Sequence, residues 1–312
     1  MINLVKAEII KIIGKKSIKV SIIIVFIFMA LSCVIQATSE VNDKNWREEV
    51  QSEVDFAKSE INEKKGTDME EFYEEIYRED IVVGEYCLKN NIANNVVTPL
   101  KFTYNNTFCM TVCVILLLIL AAINFSDEYQ YGTIKQILTR PYKRSRILCI
   151  KQMVFSVASV VVLFEQMLIS YFVGCVFFGK NKASYIAIEY IEGKIVEVDM
   201  RSSIIQTFLA YVVITVFLIA MVYLLITIFH TLLLPVMITV IVWMSSNIVS
   251  DFLSKYEIVK YTFLPHLDLK QYIAGNELVR NDNNIVLSLV VLTITYCCIQ
   301  VLTFTIFNKR DI

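Results

Sequence analysis

A single acidic side chain lies within a long apolar part of the sequence. Glu165 stands near the middle of the apolar run 153–178, and Gln166 follows it directly. A carboxylate at the centre of a bilayer costs about 2.5–3.5 kcal/mol on insertion scales, and such residues usually face a cavity or a partner. Two interpretations stay open. Glu165 either acts on a substrate or ion path, or is protonated and hydrogen-bonds across a helix interface.

Other residues suited to chemistry are sparse. The pair Gly14-Lys15 lacks the upstream glycine of a phosphate-binding loop, so the chain has no usual ATP cradle. His230 and His266 are the only histidines, and neither belongs to an H-E-x-x-H helix. The G-x-S-x-G elbow of serine hydrolases is also absent. These observations predict a non-catalytic chain that holds no cofactor or metal of its own.

The eight cysteines favour packing over metal binding. Cys297 and Cys298 are adjacent, with no second pair at zinc-site spacing. Cys87 alone lies in a clearly polar stretch, and Cys149 lies in a basic one. The others lie in or beside apolar runs: Cys33, Cys109, Cys113, Cys175, Cys297 and Cys298. We expect small, soft core residues.

Composition indicates a membrane protein. Hydrophobic residues make up 56% of the 312-residue chain and charged residues 19%, whereas soluble domains have about 25% charged residues. Six apolar runs are near the roughly 20 residues that cross a bilayer as a helix. They are 20–37, 107–125, 153–178, 204–229, 231–249 and 285–307. The sequence therefore predicts an all-α bundle of six transmembrane helices. The net charge of −1 gives no reason to expect nucleic acid as a partner.

Basic residues predict the orientation, because cytoplasmic segments are enriched in Lys and Arg. Five lysines precede the first span, six basic residues separate the second and third spans, and Lys309 and Arg310 follow the last. In contrast, residues 38–106 carry sixteen acidic and eight basic side chains. Both termini are predicted to be cytoplasmic, in a multi-pass protein of a cell membrane, with a bacterial plasma membrane expected.

The segments outside the bilayer are predicted to be partly helical. In the interfacial segment 1–19, Ile2, Val5, Ile9, Ile12 and Ile13 share one helical face, while Glu8, Lys11 and Lys15 fall opposite. The stretch 41–91 predicts two helices that meet near Gly66-Thr67. Their apolar stripes are Trp46, Val50, Val54, Ala57 and Ile61 on the first helix, and Met69, Phe72, Tyr73, Ile76 and Tyr77 on the second.

The whole chain divides along these lines. An interfacial helix at 1–19 precedes spans one and two within 20–125, which enclose the external hairpin 38–106. A cytoplasmic segment, 126–152, then leads to spans three to six within 153–312, with external segments 179–203 and 250–284.

The segment between the second and third spans carries the functional argument. It contains a short apolar helical face at Ile134, Ile137 and Leu138, which Pro141 ends because proline restricts the residue before it. A glycine, Gly132, permits close approach of another backbone. A short capped helix under the membrane, with a basic exit, is suited to docking against another protein.

This segment resembles that of the permeases of type-2 ABC exporters. In that family an acid, Gly-Thr, a leucine-rich turn, proline, a basic residue and a lysine follow the second span. The matching residues here are Glu128, Gly132, Thr133, Ile137, Leu138, Pro141, Arg146 and Lys151. The closing residues 307–312 and the plan of six spans with a large first external loop are also similar, so the resemblance covers nearly the full chain.

The resemblance implies a division of labour. Residues 128–146 would form a coupling helix in a cleft of a cytoplasmic ABC ATPase, and the ATPase chains would bind ATP and Mg. Two permease copies, identical or not, and two ATPases would form one transporter. The expected cargo is hydrophobic or amphipathic, such as a peptide, a drug or a lipid. Two other functions stay open: an ion-coupled secondary transporter, and a sensor or scaffold that signals through the external hairpin.

Overall fold

The structure is a computed structural model that describes residues 2–38, 45–130, 144–180, 185–191, 193–253, 255–276 and 284–309. Its elements in chain order are α1 (Ile2–Gly14), α2 (Lys16–Thr38), α3 (Trp46–Lys64), α4 (Glu70–Asn90), α5 (Pro99–Asn105), α6 (Thr107–Gln130), α7 (Arg144–Phe178), β1 (Ile186–Ile191), β2 (Lys194–Asp199), α8 (Met200–Phe229), α9 (Leu233–Phe252) and α10 (Ile285–Lys309). Three 3-10 turns, η1 (Glu257–Tyr261), η2 (Leu264–His266) and η3 (Leu269–Tyr272), separate α9 from α10.

Six helices among these residues are long and apolar enough to cross a membrane: α2, α6, α7, α8, α9 and α10. The predicted all-α, polytopic helix bundle is therefore confirmed. Helices satisfy every backbone hydrogen bond within their own segment, which the hydrocarbon interior demands.

Helix α8 occupies the centre of the bundle. It contacts α5, α6, α7, α9 and α10, and its buried face includes Tyr211 and Tyr223. The ring of Tyr223 stacks on Phe125 of α6 with 4.6 Å between centroids. By contrast, α2 buries only Met29 and Cys33. The first span is therefore peripheral, with most of its apolar side chains facing outward.

The hairpin of α3 and α4 forms much as the sequence predicts. Arg47 contacts Asn91, and the ring of Phe56 contacts that of Tyr77, so the helices run antiparallel. Gly84 permits the close approach, because a Cβ there would collide with the Val54 side chain. The stripe of α3 is buried at Trp46, Val50, Val54 and Ala57.

The predicted stripe of α4 is partly wrong. Met69, Phe72 and Ile76 are exposed, and the buried positions of α4 are instead Gly84 and Cys87. The interface therefore lies toward the base of the hairpin, where both helices also meet the segment before α5. The apolar side chains near the tip stay on the surface.

A β-hairpin, which the sequence reading did not predict, follows α7. Strands β1 and β2 pair antiparallel, and Ile191 stands opposite Lys194. Only two residues join the strands, and Gly193 takes a φ of +80°, as tight hairpin turns require. The β-branched residues on both sides of Glu192-Gly193 are the sequence signal for this hairpin.

The β-hairpin contacts α4 and the segment before α5, and it leads directly into α8. The side chain of Asn94 both accepts from the Ile188 amide and donates to the Ile188 carbonyl, at 3.1 Å each. Tyr86 donates to Glu197 at 2.8 Å. The side chain of Asp199 then caps α8 by accepting from the Arg201 amide.

Candidate functional site

The segment that resembles a coupling helix joins α6 to α7. Glu128 lies on the last turn of α6, and Arg146 is an exposed residue of the first turn of α7. The other residues of that prediction, Gly132, Thr133, Ile137, Leu138 and Pro141, lie outside the described residues. The structure therefore describes the two helix ends that flank the segment, the end of α6 and the beginning of α7, which we call its anchors. A cluster of polar side chains lies at these anchors.

Lys151 is the centre of this cluster. It belongs to α7, its residue surface is 1% exposed, and its ammonium nitrogen donates to the Asn124 carbonyl of α6 at 3.1 Å. The same nitrogen lies 4.0 Å from Glu8 Oε2 of α1. Lys15, just beyond α1, donates to the Ile123 carbonyl at 3.3 Å. Carbonyl oxygens carry two lone pairs, so they accept these bonds beside their helical ones. Three helices are thus tied together at this end.

These contacts correct the predicted faces of α1. The predicted apolar face included Ile9, yet Ile9 and its neighbour Ile10 are exposed. Ile12 enters the core as predicted, and so does Leu4, which was not part of the predicted face. Glu8, predicted on the opposite face, turns toward Lys151. The buried ammonium of Lys151 explains the difference, because a buried charge needs a partner of opposite sign.

Glu165 and Gln166 occupy the middle of α7 and line a cavity of about 120 Å³ between α1, α2, α6 and α7. Gln166 is 3% exposed, and its Oε1 has no hydrogen-bond partner among the described residues. Glu165 is exposed and hydrogen-bonds to no other residue in that part of the chain. The hydrogen bond across a helix interface, one of the two interpretations of Glu165, is therefore not made within the described chain, and Glu165 lines the cavity.

A second titratable cluster lies beyond the ends of the spans, where α5 meets β1. Tyr104 donates to Glu189 Oε1 at 3.1 Å, and Lys101 donates to Asn94 Oδ1 at 3.3 Å. Burial lowers the pKa of Lys101 to about 8 and raises the pKa of Glu189. Sequence reasoning missed this cluster because its members are far apart in the chain. Its buried position indicates a structural joint between the hairpin base and the strands.

His266 belongs to a closed hydrogen-bond network. Its Nε2 donates to the Lys260 carbonyl at 2.9 Å, so Nδ1 accepts from the Ser288 hydroxyl at 2.6 Å. Tyr272 donates to Ser288 at 2.5 Å. His266 and Ser288 are fully buried, so this serine–histidine pair has no access to a substrate. The pair links the 3-10 turns to the start of α10 by hydrogen bonds. Burial lowers the pKa of His266.

The cysteines are divided between core and surface. Cys33, Cys87, Cys109 and Cys113 are buried, whereas Cys149, Cys175, Cys297 and Cys298 are exposed. The expectation of core residues is thus wrong for the second set. Cys87 is buried as expected of a core residue, although it lies in a polar stretch of sequence, and burial raises the pKa of its thiol. Among the described residues no group of His, Cys, Asp and Glu is arranged to hold a metal.

Comparison with known proteins assigns a family. A family described as "Protein of unknown function (DUF2705)" matches residues 74–312, from within α4 to the last residue. The chain therefore belongs to the DUF2705 family. The matched range includes the segment between α6 and α7, as well as Glu165 and Gln166. It also includes the cluster where α5 meets β1, and the cluster around Lys151 apart from the residues that α1 contributes to it.

One relative extends the similarity to the remaining helices. The "Uncharacterized protein YhcI" of Bacillus subtilis (strain 168) is 26% identical over 318 residues, which cover 100% of this chain and 99% of the relative. This DUF2705 chain and that relative thus align along their whole lengths, including α1 and the hairpin. No solved structure matches the chain.

Proposed function

We propose that this chain is the permease subunit of an ATP-driven ABC exporter in a bacterial plasma membrane. It would move a hydrophobic or amphipathic substrate outward through a dimer of permeases. The observation that carries the proposal is the ordered set from Glu128 through Gly132 and Pro141 to Lys151 directly after the second span. ATP and Mg would be held by the ATPase partner, and this chain would hold neither.

The anchors of the segment support this role. Lys151 binds the carbonyl of Asn124 and lies beside Glu8, so the start of α7 is tied to α6 and to α1. A displacement imposed on the segment by an ATPase would therefore reach three helices together. Interfaces of this kind are bistable rather than continuously deformable, which suits a switch between two arrangements.

A tryptophan at Gly132 tests the coupling role. The tagged wild-type chain is purified from its host in mild detergent, and bound ATPase is detected by ATP hydrolysis and by photolabelling with an azido-ATP. We expect wild type to retain an ATPase chain, and Gly132→Trp to insert normally but lose both signals. Lys65→Trp, which changes an exposed residue between α3 and α4, serves as the matched control and should retain them.

Two results would overturn the assignment. One is a Gly132→Trp variant that retains and stimulates the ATPase like wild type. The other is a monodisperse wild-type protein that carries no ATPase although the cells contain the chains encoded beside it.

An ion-coupled transporter is the second candidate, because Glu165 brings a carboxyl group to a cavity within the predicted spans. Flux in vesicles that requires a proton gradient and continues without ATP would favour it.

A further inference from the structure

We propose that the cavity beside Glu165 and Gln166 binds the ammonium group and adjoining hydrocarbon of a lipophilic amine. The proposal concerns binding by this chain alone, so it holds whether or not an ATPase drives the protein.

The cavity is apolar apart from a few side chains, and two of its hydroxyl groups are already used. Ser21 donates to the Ser17 carbonyl, and Ser159 donates to the Ser156 carbonyl. Glu165 and Gln166 therefore supply the strongest hydrogen-bond acceptors among the described residues that line the cavity. Both supply acceptor oxygens, which favours a ligand that donates hydrogen bonds.

Gln166 indicates that a ligand group completes the site. A buried polar atom without a hydrogen bond costs about 1–3 kcal/mol, and native proteins seldom leave one unpaired. Its Oε1 is enclosed by the protein and faces no donor within the described chain. Because the protein covers this oxygen, the Gln166 side chain would turn into the cavity to accept an N–H of a bound ammonium.

Glu165 selects the charge of the ligand. An ionised carboxylate within the hydrocarbon region is unfavourable unless a cation pairs with it. No lysine or arginine is among the described residues that line the cavity, so a ligand is the source of positive charge that the proposal assigns to it. A primary ammonium can donate to Glu165 and to Gln166 at once, because it carries three N–H groups. An alcohol lacks the charge, and an anionic amphiphile would be repelled.

The apolar residues that line the cavity determine which hydrocarbon group of the ligand can fit. Phe26, Leu117 and Phe155 are among the apolar residues that line the cavity, which spans from Phe155 to Ile169 along α7. This stretch covers about 21 Å of helix at 1.5 Å per residue. The cavity volume of about 120 Å³ is close to that of cavities that hold one aromatic ring, so it suits an alkyl or aryl group rather than a folded peptide. The exposed face of α2 leaves the rest of a longer chain in contact with lipid.

The test uses the full-length protein in nanodiscs of zwitterionic lipid, with empty nanodiscs measuring partition into lipid. Equilibrium binding of dodecylammonium is compared with that of dodecanol and dodecyl sulfate. We expect saturable binding in the order ammonium, alcohol, sulfate. Glu165→Gln should weaken dodecylammonium binding about tenfold or more and leave dodecanol binding nearly unchanged. Gln166→Leu should weaken the ammonium less than Glu165→Gln does.

A pair of neighbouring substitutions separates the cavity from the outer surface. Ala158 lines the cavity, whereas the adjacent Val157 is 60% exposed and does not. Ala158→Phe should abolish saturable binding, and Val157→Phe should retain it. Equal binding of the three amphiphiles by wild type would overturn the proposal. So would unchanged dodecylammonium binding in a well-folded Glu165→Gln protein, or equal damage from both phenylalanines. If the Glu165→Gln protein does not fold, the order in which wild type binds the three amphiphiles still tests the proposal, and so does the comparison of Ala158→Phe with Val157→Phe.

Discussion

The ammonium nitrogen of Lys151 lies 4.0 Å from Glu8 Oε2 and 3.1 Å from the carbonyl oxygen of Asn124. One buried side chain of α7 thus holds both the N-terminal helix and the end of the second span. A separate interfacial helix would need no such contact. The N-terminal helix is therefore part of the bundle at the point where the segment between α6 and α7 is anchored.

Replacing Lys151 tests this linkage. Lys151→Met leaves the Glu8 carboxylate, whose side chain is 14% exposed, without its cation. Breaking a buried pair from one side typically costs about 3–5 kcal/mol. We expect the Tm of the purified protein in detergent to fall by at least about 5 °C.

The double variant Lys151→Met/Glu8→Gln should recover part of that loss, because the uncompensated charge is removed as well. Lys309→Met, which changes an exposed lysine, is the control and should leave the Tm nearly unchanged. A double variant no more stable than Lys151→Met would show that the two groups do not interact.

Orientation in the membrane can be measured by thiol labelling of intact cells. The predicted topology places Glu63, whose side chain is 69% exposed, outside and the exposed Lys309 inside. Glu63→Cys should react with an impermeant maleimide, and Lys309→Cys should react only after permeabilisation. The background should lack Cys149, Cys175, Cys297 and Cys298, which are exposed, whereas Cys87 can stay because it is buried. The reverse pattern would invert the topology.

Acid should loosen the 3-10 turns through His266. Burial lowers its folded pKa below 6.5, so the unfolded chain binds a proton more readily than the folded one. The stability that neutral His266 contributes is present above pH 6.5 and is lost as pH falls through the folded pKa. Protonation would also force Nδ1 to donate, where it now accepts from Ser288.

The measurement is Tm in detergent between pH 5 and pH 7.5. We expect wild type to lose more stability on acidification than His266→Gln, which cannot titrate in this range. His230→Asn is the control, since His230 is exposed and its left-handed φ of 57° is well tolerated by asparagine. Parallel pH curves for wild type and His266→Gln would contradict the assignment.

Much of the bundle could be predicted from the sequence, because the length of an apolar run is set directly by the thickness of the hydrocarbon. The beginning of α7 could not. The apolar run begins at residue 153, but the helix begins at Arg144 and includes Arg146 and Lys151. In a hydropathy pattern, basic residues look like part of a loop. A helix can nevertheless continue past the hydrocarbon, because the charged ends of its basic side chains reach the interface or a partner.

The candidate sites show a sharper limit. Periodicity predicted the outward face of α1 from its own residues, but the face is decided by Lys151, which lies more than a hundred residues away. In the same way, the sequence showed that Glu165 and Gln166 are polar, but it did not show that Glu165 is exposed and Gln166 is buried. Adjacent residues on a helix point about 100° apart, so only the neighbouring helices decide which of them is enclosed.

Helix α7 extends over 35 residues without a proline, about 50 Å at the usual rise. Near its far end Gly174 lies so close to α5 that an added Cβ would be 2.9 Å from the Pro99 backbone. The helix is thus held in place near both ends, by the contacts of Lys151 near its beginning and by a close backbone contact at Gly174 near its end. A tilt of α7 would therefore displace α5 directly, because the Pro99 backbone leaves no room at Gly174 even for a Cβ atom.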